Sequence, residues 1–260
     1  MVRFGICAGV EAAAQAKAQG WDFVEGNAQS LFVGLTPDAE YQGCELIRAS
    51  VLPVAAANCL VPGALKIVGP AVDGTRLSQY LRNALSRAGE AGTTVLVLGS
   101  GDARRVPDGF DRQTARTQLT EFAIEAAKVA AEYGVTITLE PLNQKECNIV
   151  NSVAEAMEYV NAVNHPAFQC LVDSYHLWME NEPAAHLAAA GKAIRHVHVS
   201  DLDGRVAPGR SGNADYRPLF SALKSAGYDG MISVEVPGFD LTTQGGSALA
   251  FLKKQWTEAV

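Results

Sequence analysis

The run from 130 to 140, AAEYGVTITLE, holds the join from which the architecture can be read. An Ala-rich helical stretch closes at Gly134, and a short β-branched and apolar run follows and ends on an acidic residue, Glu140. Glycine just past a helix end can take the left-handed conformation that closes the last turn, and the run after it has the length of a parallel strand covered on both faces. The same join recurs at 16–25 (AKAQGWDFVE), 87–100 (RAGEAGTTVLVLGS), 188–200 (AAAGKAIRHVHVS) and 224–235 (KSAGYDGMISVE). Working outward from these joins places eight strands at 3–7, 22–26, 53–58, 94–99, 135–140, 168–173, 194–199 and 231–236. Helical patterns fill the intervals, for example Gln113 to Tyr133 with Leu119, Phe122, Ala123, Ala126, Ala127 and Ala130 on one face. Eight alternating units predict an α/β fold, one (β/α)8 barrel over residues 1–260. An open doubly wound sheet also alternates, and loop asymmetry separates the two. Helix-to-strand joins are short, whereas the strand-to-helix segments 59–75, 100–112 and 200–215 are long and rich in Gly, Pro and polar residues, as at the active rim of a barrel.

Composition narrows the partners. The 260 residues are 48% hydrophobic with a formal charge of −7, enough apolar material for one large core. No Lys/Arg cluster marks a nucleic-acid surface. No long apolar run or secretory h-region is read, so the expectation is a cytoplasmic protein with no membrane partner. The five cysteines are scattered without a CxxC pair, which favours reduced, buried thiols. Neither GxGxxG after a strand nor GxxxxGK[ST] occurs.

The strand ends carry the chemistry. The apolar runs close on Glu25 and Asn27, Asn58, Ser100, Glu140, Asp173, His198 with Ser200, and Glu235. Among those of metal-ligand type, four come from four consecutive strands: Glu140, Asp173, His198 and Glu235. Neighbouring strands lie about 4.8 Å apart, so four such side chains tilted inward can meet at one ion. Three carboxylates and an imidazole suit one divalent metal ion, with Mn²⁺, Mg²⁺ or Co²⁺ ahead of Zn²⁺. His196, two residues earlier on the same face, competes with His198 unless it lies deeper in the barrel as a core residue. Asn143 and Glu146 follow Glu140, His176 follows Asp173, and Arg205 lies in the loop after His198, all within reach of a small polyol at the rim. Lys66, Arg104 and Arg105 either meet a phosphate or stay solvated, and solvation is the favoured reading. Trp178 and Met179 read as packing residues ahead of a sugar wall or a dimer contact.

At these residues the chain resembles the xylose-isomerase-like barrel superfamily of sugar isomerases and epimerases, with the hydroxypyruvate isomerase and ketose 3-epimerase branches nearest. The matching segments are LEPLN (139–143), VDSYH (172–176), HVHVSD (196–201) with GRVAPGRSGNADY (204–216), and ISVEV (232–236), in family order across the C-terminal half. The resemblance implies metal ligands at Glu140, Asp173, His198 and Glu235, acid/base duty for Glu140 and Glu235, and substrate contacts from Glu146, His176 and Arg205. Two departures stand out. The stretch from His198 to Arg205 is one residue longer than in ketose epimerases, and hydroxypyruvate isomerases tend to carry Gln at the His198 position.

The expected function is therefore a metal-dependent isomerase or epimerase that moves a proton through an enediolate of a small sugar or hydroxy-keto acid. A dehydratase of a keto-inositol or dehydroshikimate-like acid, and a metal-free binding barrel, are the alternatives. An abasic-site endonuclease needs more histidines than this chain offers, since all five lie at or after His165. A homo-oligomer stays open.

Overall fold

The computed structural model describes Met1–Val260, the side chain of Ala39 apart. Eight parallel strands form a closed barrel in sequence order: β1 (Arg3–Cys7), β2 (Phe23–Asn27), β3 (Val54–Asn58), β4 (Val95–Leu98), β5 (Thr136–Leu139), β6 (Phe168–Asp173), β7 (Ile194–Val199) and β8 (Met231–Val234). β8 closes on β1 with Gly5 opposite Ser233. One outer helix follows each strand: α1 (Ala13–Gln19), α2 (Gly43–Arg48), α3 (Gly74–Ala91), α4 (Arg112–Glu132), α5 (Val153–Val163), α6 (Ala184–Ala190), α7 (Arg217–Ser225) and α8 (Leu241–Glu258).

The glycine joins behave as their chemistry requires. Gly20, Gly92, Gly134, Gly191 and Gly227 all have positive φ, between +51° and +89°, where a Cβ would be strained. Each releases the chain from a helix directly into a strand or its lead-in. The expected strands are all present, most of them trimmed by a residue or two at the ends, and the loop 100–112 contains a one-turn helix at Gly101–Arg104.

Helix α4 shows how sequence becomes packing. Asp111 caps it by accepting from the Thr114 amide at 2.7 Å and the Thr114 hydroxyl at 2.8 Å. Its buried face is mostly alanine, with Leu119 and Phe122 as the bulky members, which lets the helix lie close against β4 and β5. The cap bonds hold the Asp111 carboxyl below the ordinary Asp range. A carboxyl lowered on folding contributes stability above its unfolded value of about 3.9 and loses it as pH falls through the folded value. Asp111→Ala is therefore expected to lower the thermal midpoint at pH 7, with the gap to wild type closing below about pH 3.9, checked by thermal melts across pH.

Two register steps lie inside the barrel wall. One falls between Val24 and Glu25 where β2 meets β3. The other lies where Cys170 pairs Ile194 and the next residue, Leu171, pairs His196. An extra residue in one strand of a pair re-aims the side chains beyond it. The extra residue is Ala55 of β3 in the first case, on the strand paired with Glu25, and Arg195 of β7 in the second, just before His196.

The longest rim loop is closed by a buried anion. Asp201 accepts from the amides of Gly209 at 3.0 Å and Ser211 at 2.9 Å, from the Ser211 hydroxyl at 2.8 Å and from the Tyr216 hydroxyl at 2.9 Å. Trp178 packs edge-on against Tyr216 with ring centroids 5.0 Å apart, in keeping with its packing role. The loop from Asp201 to Tyr216 is thus pinned at both ends, with Arg205 on its outward arc.

Candidate active site

The ends of β5 to β8 deliver Glu140, Asp173, His198 and Glu235 to one point at the C-terminal rim. One ligand atom from each lies within 4.8 Å of the other three. Glu140, Asp173 and His198 are buried, and the Glu235 side chain is 20% exposed. Gly99 at the end of β4 makes room for this arrangement, because a Cβ there would collide with Glu140 Oε2. Asp173 also caps the short helix Ser174–Met179 through the Tyr175 amide at 2.7 Å, so that helix presents His176 beside it.

Sequence left His196 and His198 as competitors, and depth separates them. His198 turns Nδ1 to Glu140 Oε1 at 3.1 Å and to Glu235 Oε2 at 3.6 Å. His196 lies deeper, with Nε2 2.6 Å from Glu25 Oε2. Glu25 reaches His198 as well, Oε1 to Nε2 at 2.9 Å.

The second set converges too. His176 Nδ1 accepts from the Asn143 amide at 3.2 Å. Asn143 Nδ2 donates to Glu146 Oε1 at 2.9 Å. Arg205 donates to Glu146 Oε1 and to Glu235 Oε2, both at 3.1 Å, and lies over the Tyr175 ring 4.6 Å from its centroid. Asn58 at the end of β3 donates to the other oxygen of Glu235 at 2.9 Å. His176 Nε2 is buried without a hydrogen-bond partner. Since the Asn143 amide donates to Nδ1, Nε2 carries the hydrogen, and it faces Asp173 Oδ2 at 3.8 Å and Glu146 Oε2 at 4.0 Å, beyond hydrogen-bond distance.

A cleft of about 450 Å³ opens over this cluster, with Asn58, Cys59, Glu140, His176, Arg205 and Glu235 in its wall. Arg104 does not face it. The expected solvated or phosphate-binding cation is fully buried, and its guanidinium donates to the carbonyls of Gly99 at 2.7 Å, Ile149 at 2.8 Å and Glu140 at 2.6 Å. A long apolar stem and five donors let arginine staple loops from within. Lys66 donates to the Asp102 carbonyl at 2.9 Å, and Arg105, which is exposed, donates to the Glu146 carbonyl at 2.5 Å.

The charges of the site are uneven. Burial works to raise every carboxyl here. At Glu235 the charges of His198 and Arg205 outweigh burial and hold the group down at about 2. At Glu140 burial and repulsion from Glu235 prevail over His198, and proton affinity is raised. Burial disfavours charge on His198, yet the Glu25 and Glu235 carboxylates raise it well above the ordinary imidazole value. Burial would also raise Glu25, but His198 and His196 hold it well below the carboxylate range. The thiols at the cleft stay protonated, with burial and Glu235 pushing Cys59 up to about 12.

This donor set fits a divalent ion. His198 gives its Nε2 edge to Glu25, so its Nδ1 edge meets two carboxylates that cannot donate to it. Either a proton or a cation must fill that edge. Three carboxylates around one imidazole nitrogen suit the second, and oxygen-rich sets favour hard or borderline divalent ions. All eight residues singled out in sequence meet at this rim. Sequence did not single out Glu25, Asn58 and Tyr175, although Glu25 and Asn58 do end apolar runs.

Comparison with known proteins gives the family and the fold. Residues 10–255 match the family model described as a xylose isomerase-like TIM barrel. The chain is similar to the L-ribulose 3-epimerase of Methylomonas sp. (strain DH-1), 34% identical over 110 residues that cover 42% of this chain and 38% of that protein. It is also similar to the putative hydroxypyruvate isomerase of Mus musculus, 28% identical over 163 residues, 59% of this chain and 57% of that one. These matches span about half or less of the curated relatives' own length. The D-allulose 3-epimerase of Methylomonas sp., solved in complex with D-allulose, superposes with a TM-score of 0.81 over 98% of this chain and 97% of that chain, at 24% identity. The curated relatives carry the names of sugar isomerases and epimerases, and from the match over 10–255 the chain belongs to the xylose isomerase-like TIM-barrel family.

Proposed function

We propose that this chain is a divalent-metal-dependent isomerase or epimerase of a small sugar or hydroxy-keto acid, working by proton transfer at the carbons beside a carbonyl. The observation that carries the proposal is the convergence of Glu140, Asp173, His198 and Glu235 at the floor of the cleft. Glu140, Asp173, His198 and Glu235 would hold the ion, and Mn²⁺, Mg²⁺ or Co²⁺ suits them better than Zn²⁺. When bound, the ion supplies positive charge to the oxygen that becomes anionic as the proton leaves.

The protein's own groups account for the rest. Glu235 takes the proton from carbon, and the C–H electron pair moves into the new C=C bond as the carbonyl π pair moves onto oxygen. Glu140, of higher proton affinity, returns a proton to carbon as the carbonyl reforms. Two carboxylates whose surroundings push their proton affinities apart are the pattern expected of an acid and base pair. Asn58 and Arg205 fix the two oxygens of Glu235 in place. His176 Nε2–H, Arg205 and Glu146 hold the substrate's hydroxyls, and the Tyr175 ring keeps the Arg205 guanidinium in its plane. The names of the relatives, a ketose 3-epimerase and a hydroxypyruvate isomerase, support the same class of substrate.

The test is a panel of ketoses, aldoses, hydroxy-keto acids and inosones incubated in D₂O with the protein and Mn²⁺. One solvent deuterium gained on a product of otherwise unchanged formula is the expected result. Loss of water from the product would establish dehydration instead, and no conversion of any member with or without added metal would leave a binding barrel.

A further inference from the structure

Beneath the rim lies a cluster of Glu25, His196 and His198, with rings and carboxylate all buried, of which the proposed chemistry uses only His198. The two imidazoles stand nearly perpendicular, at 82° with centroids 5.0 Å apart, and each directs Nε2 to its own oxygen of the one carboxylate. Because a carboxylate only accepts, both Nε2 atoms must carry hydrogen. We infer that Glu25 is a positioning residue that fixes His198 in the form with hydrogen on Nε2 and the Nδ1 lone pair turned to Glu140 and Glu235, ready to bind the ion. This rests on the metal reading above.

Three observations support it. The strand carrying His196 departs from regular pairing just before it, where Cys170 pairs Ile194 and Leu171 pairs His196, so that Arg195 is an extra residue re-aiming β7 toward Glu25. His196 occupies Glu25 Oε2 at 2.6 Å, so the carboxylate cannot swing toward the rim and become a competing ligand. His196 Nδ1 has no partner and is buried, so this imidazole serves Glu25 through one nitrogen only. Although Glu25, His196 and His198 together have the composition of a metal site, their facing atoms already pair as donors and acceptors. A ligating imidazole held through its second nitrogen by a carboxylate has a fixed ring orientation and a more basic ligand atom, and loss of that support typically weakens metal binding by about 10- to 100-fold.

Glu25→Gln tests the idea without changing shape. An amide offers one acceptor and one donor, so the two imidazoles can no longer both donate to it. Calorimetric titration with Mn²⁺ is expected to show binding weakened about 10- to 100-fold, with far-ultraviolet circular dichroism unchanged. Phe168→Leu, a core lesion away from the cluster, is expected to lower the thermal midpoint while leaving Mn²⁺ affinity within twofold. In wild-type protein labelled with ¹⁵N-histidine and loaded with Mg²⁺, the His198 ring is expected to show a slowly exchanging hydrogen on Nε2 and none on Nδ1. That spectrum decides the matter if Glu25→Gln fails to fold. Mn²⁺ affinity of a folded Glu25→Gln within twofold of wild type, or a His198 ring with hydrogen on Nδ1, would overturn the inference alone. A wild-type protein that takes up no Mn²⁺ would overturn the metal reading first, and the inference with it.

Discussion

Glu235→Gln and Glu140→Gln are each expected to reduce formation of deuterium-labelled product by about 10²- to 10⁴-fold, the usual contribution of a positioned acid or base. The amides keep one carbonyl oxygen, so each variant is expected to retain divalent-ion binding, weakened but measurable by calorimetry. The two lesions differ in what they leave behind. In Glu235→Gln the amide oxygen can keep one of the Asn58 and Arg205 contacts, which go to different oxygens of the carboxylate, yet it cannot accept the proton from carbon. In Glu140→Gln the first abstraction survives while the return of a proton to the far carbon does not. Wash-out of label from the original C–H position is therefore expected to outlast product formation in Glu140→Gln and to vanish with it in Glu235→Gln. Formation of deuterium-labelled product at the wild-type rate by either variant would end the assignment of that residue.

Arg104→Met is expected to cost the largest share of stability of any single change considered. Its guanidinium pairs three carbonyls in the rim: Gly99 beside the Glu140 carboxylate, Glu140 itself, and Ile149 in the loop before α5. Each buried acceptor left unpaired costs about 1–3 kcal/mol, so a loss of roughly 2–6 kcal/mol is expected even if one carbonyl recovers a partner. Burial disfavours charge on this group and lowers its proton affinity, but the arginine reference is high enough that it stays charged across the usable pH range. Denaturant unfolding at pH 7 measures the loss, and a shift in the midpoint corresponding to less than about 1 kcal/mol would show that water replaces the guanidinium.

Arg104 also marks where sequence stops informing. A cation beside the rim of a sugar-binding barrel looks the same on paper whether it faces solvent, phosphate or its own backbone. Only the three-dimensional path of 99–104, 140 and 149 reveals that the carbonyls it serves come from distant parts of the chain. The barrel itself was legible because its signal is local and repeated: glycine after a helix, then a short apolar run. The four ligand-type side chains were legible for a related reason, since strand period and a common height at strand ends are enough to converge them. Glu25 escaped because its importance depends on partners 171 and 173 positions away in the chain, which no alternation of residues announces. His196 was the near case, for strand period places it on the same face as His198 but leaves depth undetermined.

The pinned loop from Asp201 to Tyr216 has a consequence for how such a barrel changes its taste for substrates. Its ends are tied to each other by one buried carboxylate, and the groups proposed to hold the ion sit on strands outside it. The arc between them, Arg205 apart, is therefore a replaceable cassette: its length and polar residues can be exchanged while Arg205 keeps its hold on Glu235. A laboratory seeking new substrate preferences should vary 202–204, 206–208 and 212–215 and leave Asp201, Arg205, Gly209, Ser211 and Tyr216 as the hinge posts.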